Sequence, residues 1–262
     1  MKTKIRKLDP NNIDKKILNE AVQIVRAGGT VVFPTETVYG LGANGLNEEA
    51  VMKIFKAKGR PADNPLILHI YSIGHVEALV KNIPETAEKC MEAFWPGPLT
   101  ILFKKSSKVP KIITAGLDTV AIRMPKNNIA LELIKEANIP IAAPSANVSG
   151  RPSPTSAKHV IDDLDGKVDM IIDGGDTGIG IESTVLDLSG DIPVILRPGA
   201  VTIEDLKKII PNVKFDPSTS FDAGTSQEDE NIFPKSPGQK YRHYAPKAEM
   251  ILFTGDIENI IE

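Results

Sequence analysis

Lys53, Lys56, Lys58 and Arg60 crowd one short stretch, KIFKAKGRPADNPLILHI (residues 53–70), of a chain whose net charge is −3. A guanidinium can grip phosphate oxygens two at a time and lysines add point charge, so this turn has the means to hold a polyphosphate. The plainer reading is that Lys58 and Arg60 complement the negative end of a helix that Gly59 terminates, an effect of about 0.3–1 kcal/mol. Gly59 and Pro61 favour the phosphate reading because they hold the turn to a defined shape. Asn64 adds a polar group, and Pro65 after it biases that residue towards extended backbone leading into a strand. On this stretch alone both readings stand.

Other polar loops follow apolar, strand-like runs, the position where α/β sheets bind ligands. PTETVYGLGANG (residues 34–45) reads as a long Gly-rich loop offering Thr35, Thr37 and Tyr39. APSANVSGRPSPTS (143–156) offers Ser145, Asn147, Ser149 and Ser153, while IESTV (181–185) and LRPG (196–199) place Ser183 and Arg197 at strand margins. Arg123 sits inside the apolar run TVAIRMP (119–125). An arginine there is seldom buried unless paired, so it calls for a carboxylate from the protein or from a ligand.

Several familiar chemistries fail. No G-x-x-x-x-G-K-[ST] is present, GGDTGIGIES does not open a helix as a dinucleotide fingerprint would, and there is no G-x-S-x-G elbow. The four histidines are scattered and Cys90 is the single cysteine, which argues against a structural zinc and excludes an intrachain disulfide. Cys90 reads as a buried core residue on a helix beside Met91 and Phe94. One cysteine, no apolar leader and no run approaching the roughly 18 apolar residues of a membrane span give the expectation of a cytoplasmic protein without a membrane partner.

The elements that would position these residues alternate. Helical patterns fall at 12–27, 47–58, 73–82, 84–94, 127–137, 155–164 and 202–210, and strand patterns at 30–35, 65–70, 99–103, 119–124, 139–145, 168–173, 183–188 and 193–198. Some strands follow one another with no helix between, which predicts an α/β domain on a mixed sheet, residues 1–210. Residues 211–246 turn polar and read as a linker; 247–262 read as the opening strand of an incomplete second domain.

Together PTETVYGLG, KAKGRPADNPL, WPGPLT, VAIRMP, APSANVSG, ESTV and LRPG closely resemble the YrdC-like family, the L-threonylcarbamoyladenylate synthases, over residues 15–210. SPGQKYRHYAP (236–246) resembles the linker of the family's long, two-domain form. The resemblance implies a twisted mixed sheet with flanking helices around a positively lined cavity. It implies a reaction of L-threonine, bicarbonate or CO2 and ATP giving threonylcarbamoyl-AMP and diphosphate, with Mg²⁺ on the phosphates. The product would pass to the tRNA threonylcarbamoyl transferase machinery that modifies position 37 of ANN-decoding tRNAs. Lys58 and Arg60 match catalytic and ATP-binding positions; Asn64, Thr119, Ser145, Ser153, Arg197 and Tyr241 match further ATP-side positions. Thr37, His69, Arg123, Ala143 and Ser183 match threonine-side positions, and Tyr241 with Tyr244 would close a lid. No protein metal ligand is implied.

Two rivals are weaker. An RNA-binding module with a basic concave face sits poorly with the acidic balance and 5% aromatic content, so strong direct nucleic-acid binding is not expected. A hydrogenase-maturation carbamoyl-transfer domain would come with cysteine zinc fingers, against one cysteine here.

Overall fold

The structure, a computed structural model, describes residues 2–217. In chain order the elements are β1 (Lys4–Lys7), α1 (Lys15–Arg26), β2 (Val31–Phe33), β3 (Gly40–Asn44), α2 (Glu48–Lys58), β4 (Ile67–His69), α3 (Gly74–Leu79), α4 (Glu85–Phe94) and β5 (Leu99–Lys104). They continue with β6 (Thr119–Arg123), α5 (Asn128–Ala137), β7 (Ile141–Ala142), α6 (Ala157–Leu164), β8 (Met170–Asp173), β9 (Thr184–Asp187), β10 (Val194–Arg197), α7 (Ile203–Lys207) and β11 (Lys214–Phe215). The strands form one mixed sheet in the order β1-β8-β2-β3-β7-β4-β6-β5-β9-β10-β11. The α/β class and mixed sheet read from the alternation are what the chain adopts.

Strand periodicity divides the core. Val31 and Phe33 pack with α1, α5 and the Met170 and Ile172 side of β8. Val32 faces the opposite layer with α2, α4 and α6. Local chemistry sets the helix ends: Asp14, Asn47, Asn127 and Thr202 each accept main-chain N–H bonds at an N-terminus.

The sequence reading is corrected at three strands. Gly40–Asn44, taken as part of a loop, is β3, paired antiparallel with both β2 and β7. Its glycines answer to packing: a Cβ on Gly42 would lie 2.6 Å from Phe33 and 2.7 Å from Ile141. Lys4–Lys7 carries no apolar alternation yet runs parallel to β8 at the sheet edge, where its charges discourage further pairing. Lys214–Phe215, inside the stretch read as linker, pairs parallel with β10. The remaining linker and second-domain readings, with Tyr241 and Tyr244, lie outside the described residues. Among the described residues, no helix is long and apolar enough to cross a membrane.

Candidate active site

One cleft collects the ends of the elements named above. Its walls are the turn after β2 (Thr35, Thr37, Val38, Tyr39), the end of α2 (Lys58, Arg60), β4 (Ile67, His69) and the last residue of β6 (Arg123). The segment after β7 (Ala143, Ser145, Asn147), the residues before β9 (Glu182, Ser183) and the end of β10 (Arg197) complete it. Thus Thr37, Lys58, Arg60, His69, Arg123, Ala143, Ser145, Ser183 and Arg197 come together. Asn64, Thr119 and Ser153 are not among the lining residues. Thr119 opens β6, at the end opposite Arg123. Ser153 reaches the cleft indirectly, through a hydrogen bond from its Oγ to Glu182 Oε1. Asn64 is fully buried, and neither polar atom of its amide has a partner among the described residues. A buried amide in that state is the kind of group that a water or ligand satisfies.

The crowded cations of residues 53–60 separate in space. Gly59 takes the left-handed conformation (φ 61°) and the Arg60 N–H bonds back to Phe55 O at 3.0 Å, which seals the helix and turns the chain. Lys53 points away and donates to Gly28 O at 2.7 Å, and Lys56 is exposed. Arg60 lines the cleft, its Nη2 donating to Asn64 O and Pro65 O, each at 3.3 Å. Lys58 turns inward and is only 2% exposed. Burial first, and Arg60 second, lower the Lys58 pKa to about 7.

Arg123 finds its carboxylate inside the protein. Nη2 donates to Glu36 Oε1 at 2.6 Å, Nη1 to Thr37 Oγ1 at 3.0 Å and Nε to Gly97 O at 3.2 Å. Glu36 also accepts from Lys126 N at 3.0 Å, so the carboxylate is held from both sides. A guanidinium has five N–H groups. Two of those on Arg123 have no acceptor among the described residues, and they belong to a side chain that lines the cleft. Burial lowers the Arg123 pKa and Glu36 opposes the shift; the group stays cationic, as arginine does. Arg197 donates to Ser183 O from Nε (3.1 Å) and Nη2 (2.9 Å), and Ser183 Oγ in turn meets Thr100 Oγ1 at 2.8 Å.

Glu36, Glu182 and Gly97 carry this arrangement and were not singled out in the sequence. The one available signal was an arginine in an apolar strand that had to be paired. Tyr39 is fully buried, and its hydroxyl donates to Gly175 O at 2.5 Å and accepts from Gly174 N at 3.2 Å. It ties the Gly-rich 174–180 segment to the wall of the site.

His69 lies against the edge of Phe33, with its Nδ1 buried and without a partner among the described residues. Burial, then Arg123, pushes its pKa from 6.5 down to about 3. Between those two values the unfolded chain binds a proton that the folded chain refuses, so stability falls as pH drops through the window. In urea unfolding at about pH 7 and about pH 5, His69→Gln is expected to lose less stability on acidification than the unaltered protein. Equal losses would contradict a buried, neutral imidazole.

A family model named Sua5/YciO/YrdC and described as telomere recombination matches residues 23–199. The chain belongs to that family. A second model, threonylcarbamoyl-AMP synthase C-terminal domain, matches residues 201–262. The threonylcarbamoyl-AMP synthase of Pyrococcus abyssi is 55% identical over 92% of this chain and 68% of its own length. That of Bacillus subtilis is 52% identical over 92% and 68%. Among solved structures, P. abyssi Sua5 complexed with L-threonine superposes with a TM-score of 0.89 at 54% identity, covering 94% of this chain and 70% of that one. Escherichia coli YciO gives 0.71 at 27% identity, covering 78% and 99%. Full-length HypF, at 22% identity and a TM-score of 0.61, shares the fold alone. The resemblance in the seven motifs is thus a family membership, and the family is that of the threonylcarbamoyl-AMP synthases.

Proposed function

We propose that the chain makes L-threonylcarbamoyl-AMP and diphosphate from L-threonine, bicarbonate or CO2, and ATP, for threonylcarbamoyladenosine at position 37 of ANN-decoding tRNAs. The carrying observation is the charge of the cleft: Lys58, Arg60, Arg123 and Arg197 line it, and among the described residues Glu182 is the one carboxylate in the lining, with Glu36 paired to Arg123 behind it. Such a surface suits substrates bearing phosphates and a carboxylate. Arg60, Lys58, Ser145 and Arg197 belong to the nucleotide side in this reading. Arg123, Thr37, His69, Ala143 and Ser183 belong to the threonine side. Mg²⁺ enters as the ion that ATP carries on its phosphates, and no protein ligand is assigned to it.

The neutral α-amine of threonine attacks CO2 and loses a proton, giving a carbamate. A carbamate oxygen attacks the α-phosphorus of ATP, and diphosphate leaves on the opposite side. Negative charge is built in the first step and moved in the second. Fixed cations stabilise it, and the walls of the cleft align the two reacting molecules. The product then passes to a tRNA threonylcarbamoyl transferase.

The test is diphosphate release from ATP and Mg²⁺, with L-threonine and bicarbonate omitted in turn. Release that requires both is expected. Release without threonine would replace the proposal with another adenylation or hydrolysis, and no release from the complete mixture would overturn it.

A further inference from the structure

Lys58 is the most enclosed cation of the cleft, and its bonds specify what it holds. Its Nζ donates to Ser145 O at 2.6 Å, Asn147 O at 2.6 Å and Asn147 Oδ1 at 3.3 Å. An ammonium has three N–H groups, and three acceptors are in place. The main chain adds a fourth link, from Ser149 N to Lys58 O at 3.0 Å.

The segment held this way is knitted together from within. Ser145 Oγ donates to Asn147 Oδ1 at 2.6 Å, and Asn147 Nδ2 donates to Val148 O at 3.0 Å and Arg151 O at 2.7 Å. From the far side, α6 contributes the buried Asp163, whose carboxylate accepts from Val148 N at 3.0 Å and pairs with Arg151. Residues 145–151 therefore lie between a buried ammonium and a buried carboxylate. For Lys58 to reach a phosphate it would have to release two main-chain carbonyls that it now satisfies, and an enclosed carbonyl left without a donor is costly.

We propose that Lys58 is a positioning residue: its ammonium holds the Ser145–Asn147 turn in the shape that the nucleotide requires, and contact with the β- and γ-phosphates falls to Arg60. This deepens the proposed function and rests on its reading of ATP as substrate. The two roles differ in which ligands they affect. A phosphate ligand matters only to molecules that carry those phosphates, whereas a turn holding the nucleoside matters to every nucleotide.

The experiment is a ladder of affinities by calorimetry for adenosine, AMP and a non-hydrolysable ATP analogue, measured on the full chain, with L-threonine as a separate ligand. Lys58→Met keeps the length of the side chain and removes the ammonium. It is expected to weaken all three nucleotide ligands by a similar factor, about ten- to a hundredfold, and to leave L-threonine affinity unchanged. Asn147→Ala, which leaves the lysine in place but removes one of its three acceptors together with the side-chain bonds to Ser145 Oγ, Val148 O and Arg151 O, loosens the same turn and is expected to give the same uniform pattern. It carries the test alone if the Lys58 variant does not fold.

Loss confined to the ATP analogue, in either variant, would make Lys58 a phosphate ligand and overturn the proposal. Parallel loss of threonine affinity would also overturn it, because it would mark a general collapse of the cleft. If the unaltered protein binds L-threonine but none of the three nucleotide ligands, the ATP reading itself falls and takes this one with it. That outcome is visible before any variant is made.

Discussion

Arg123→Lys raises the KM for L-threonine about ten- to a hundredfold and leaves the KM for ATP within about twofold. The prediction follows from the five N–H groups of the guanidinium. Among the described residues three are committed to Glu36, Thr37 and Gly97, which fix its plane, and the other two have no acceptor there and are the ones the proposal gives to a ligand carboxylate. Lysine keeps a positive charge beside Glu36 but has no planar fork, so it cannot hold the protein carboxylate and grip a second one as arginine can. The choice of lysine matters. Arg123 and Glu36 side chains are 4% and 12% exposed, and alanine would leave the Glu36 carboxylate enclosed without its counter-charge. Breaking a buried pair in that way costs about 3–5 kcal/mol and would confuse a binding defect with a folding defect. Steady-state diphosphate release with each substrate varied, beside a thermal melt, separates the two. An unchanged KM for threonine in a folded variant would remove Arg123 from the threonine side.

Most of the fold was legible because its helices bury one face each, which imposes a period, and its central strands are short apolar runs buried on both faces. Helix α5 shows this plainly: Ile129, Ala130, Leu133, Ile134 and Ala137 are buried, and Asn127 caps it as its side chain allows. The strands that escaped notice lack that signal. In β3 the side chains that would announce a strand are replaced by glycine, since Phe33 and Ile141 occupy the space. In β1 three of the four residues are charged, as suits a strand at the sheet edge.

The cleft was legible in its cations and in part of its hydroxyls, Thr119 and Ser153 falling outside the lining, and illegible in its carboxylates. Arg60 and Arg123 stand out in sequence because charge beside a glycine turn, or within an apolar strand, breaks a local pattern. Glu36, Glu182 and Asp163 break none. Each lies in a polar stretch or on a helix where an acidic residue is ordinary, and each acquires its meaning from a partner at least twelve positions away. The same holds for Lys58: the sequence shows a cation at a helix end, and only the structure shows that the turn at Ser145–Asn147 lies over it.

Arg60→Ala is expected to lower kcat/KM by about 10²–10³ while the protein stays folded. Arg60 is half-buried on the turn that leaves α2 and lines the cleft. Two of its side-chain bonds, to Asn64 O and Pro65 O, are long, 3.3 Å each. The bond that seals the helix, from the Arg60 N–H to Phe55 O, belongs to the main chain and survives substitution by alanine. The helix end is therefore kept, and the protein is expected to remain folded, which a thermal melt checks. Activity should suffer far more, because charge gathers on the phosphates as diphosphate departs, and a fixed guanidinium opposite that charge helps the transition state more than the ground state. Arg60→Lys divides the effect further. A lysine restores charge without the fork, so partial recovery of kcat would assign the role to charge, and no recovery would assign it to bidentate geometry. A near-normal rate in a well-folded Arg60→Ala protein would remove Arg60 from the phosphates, and the proposed division of labour with Lys58 would fail with it.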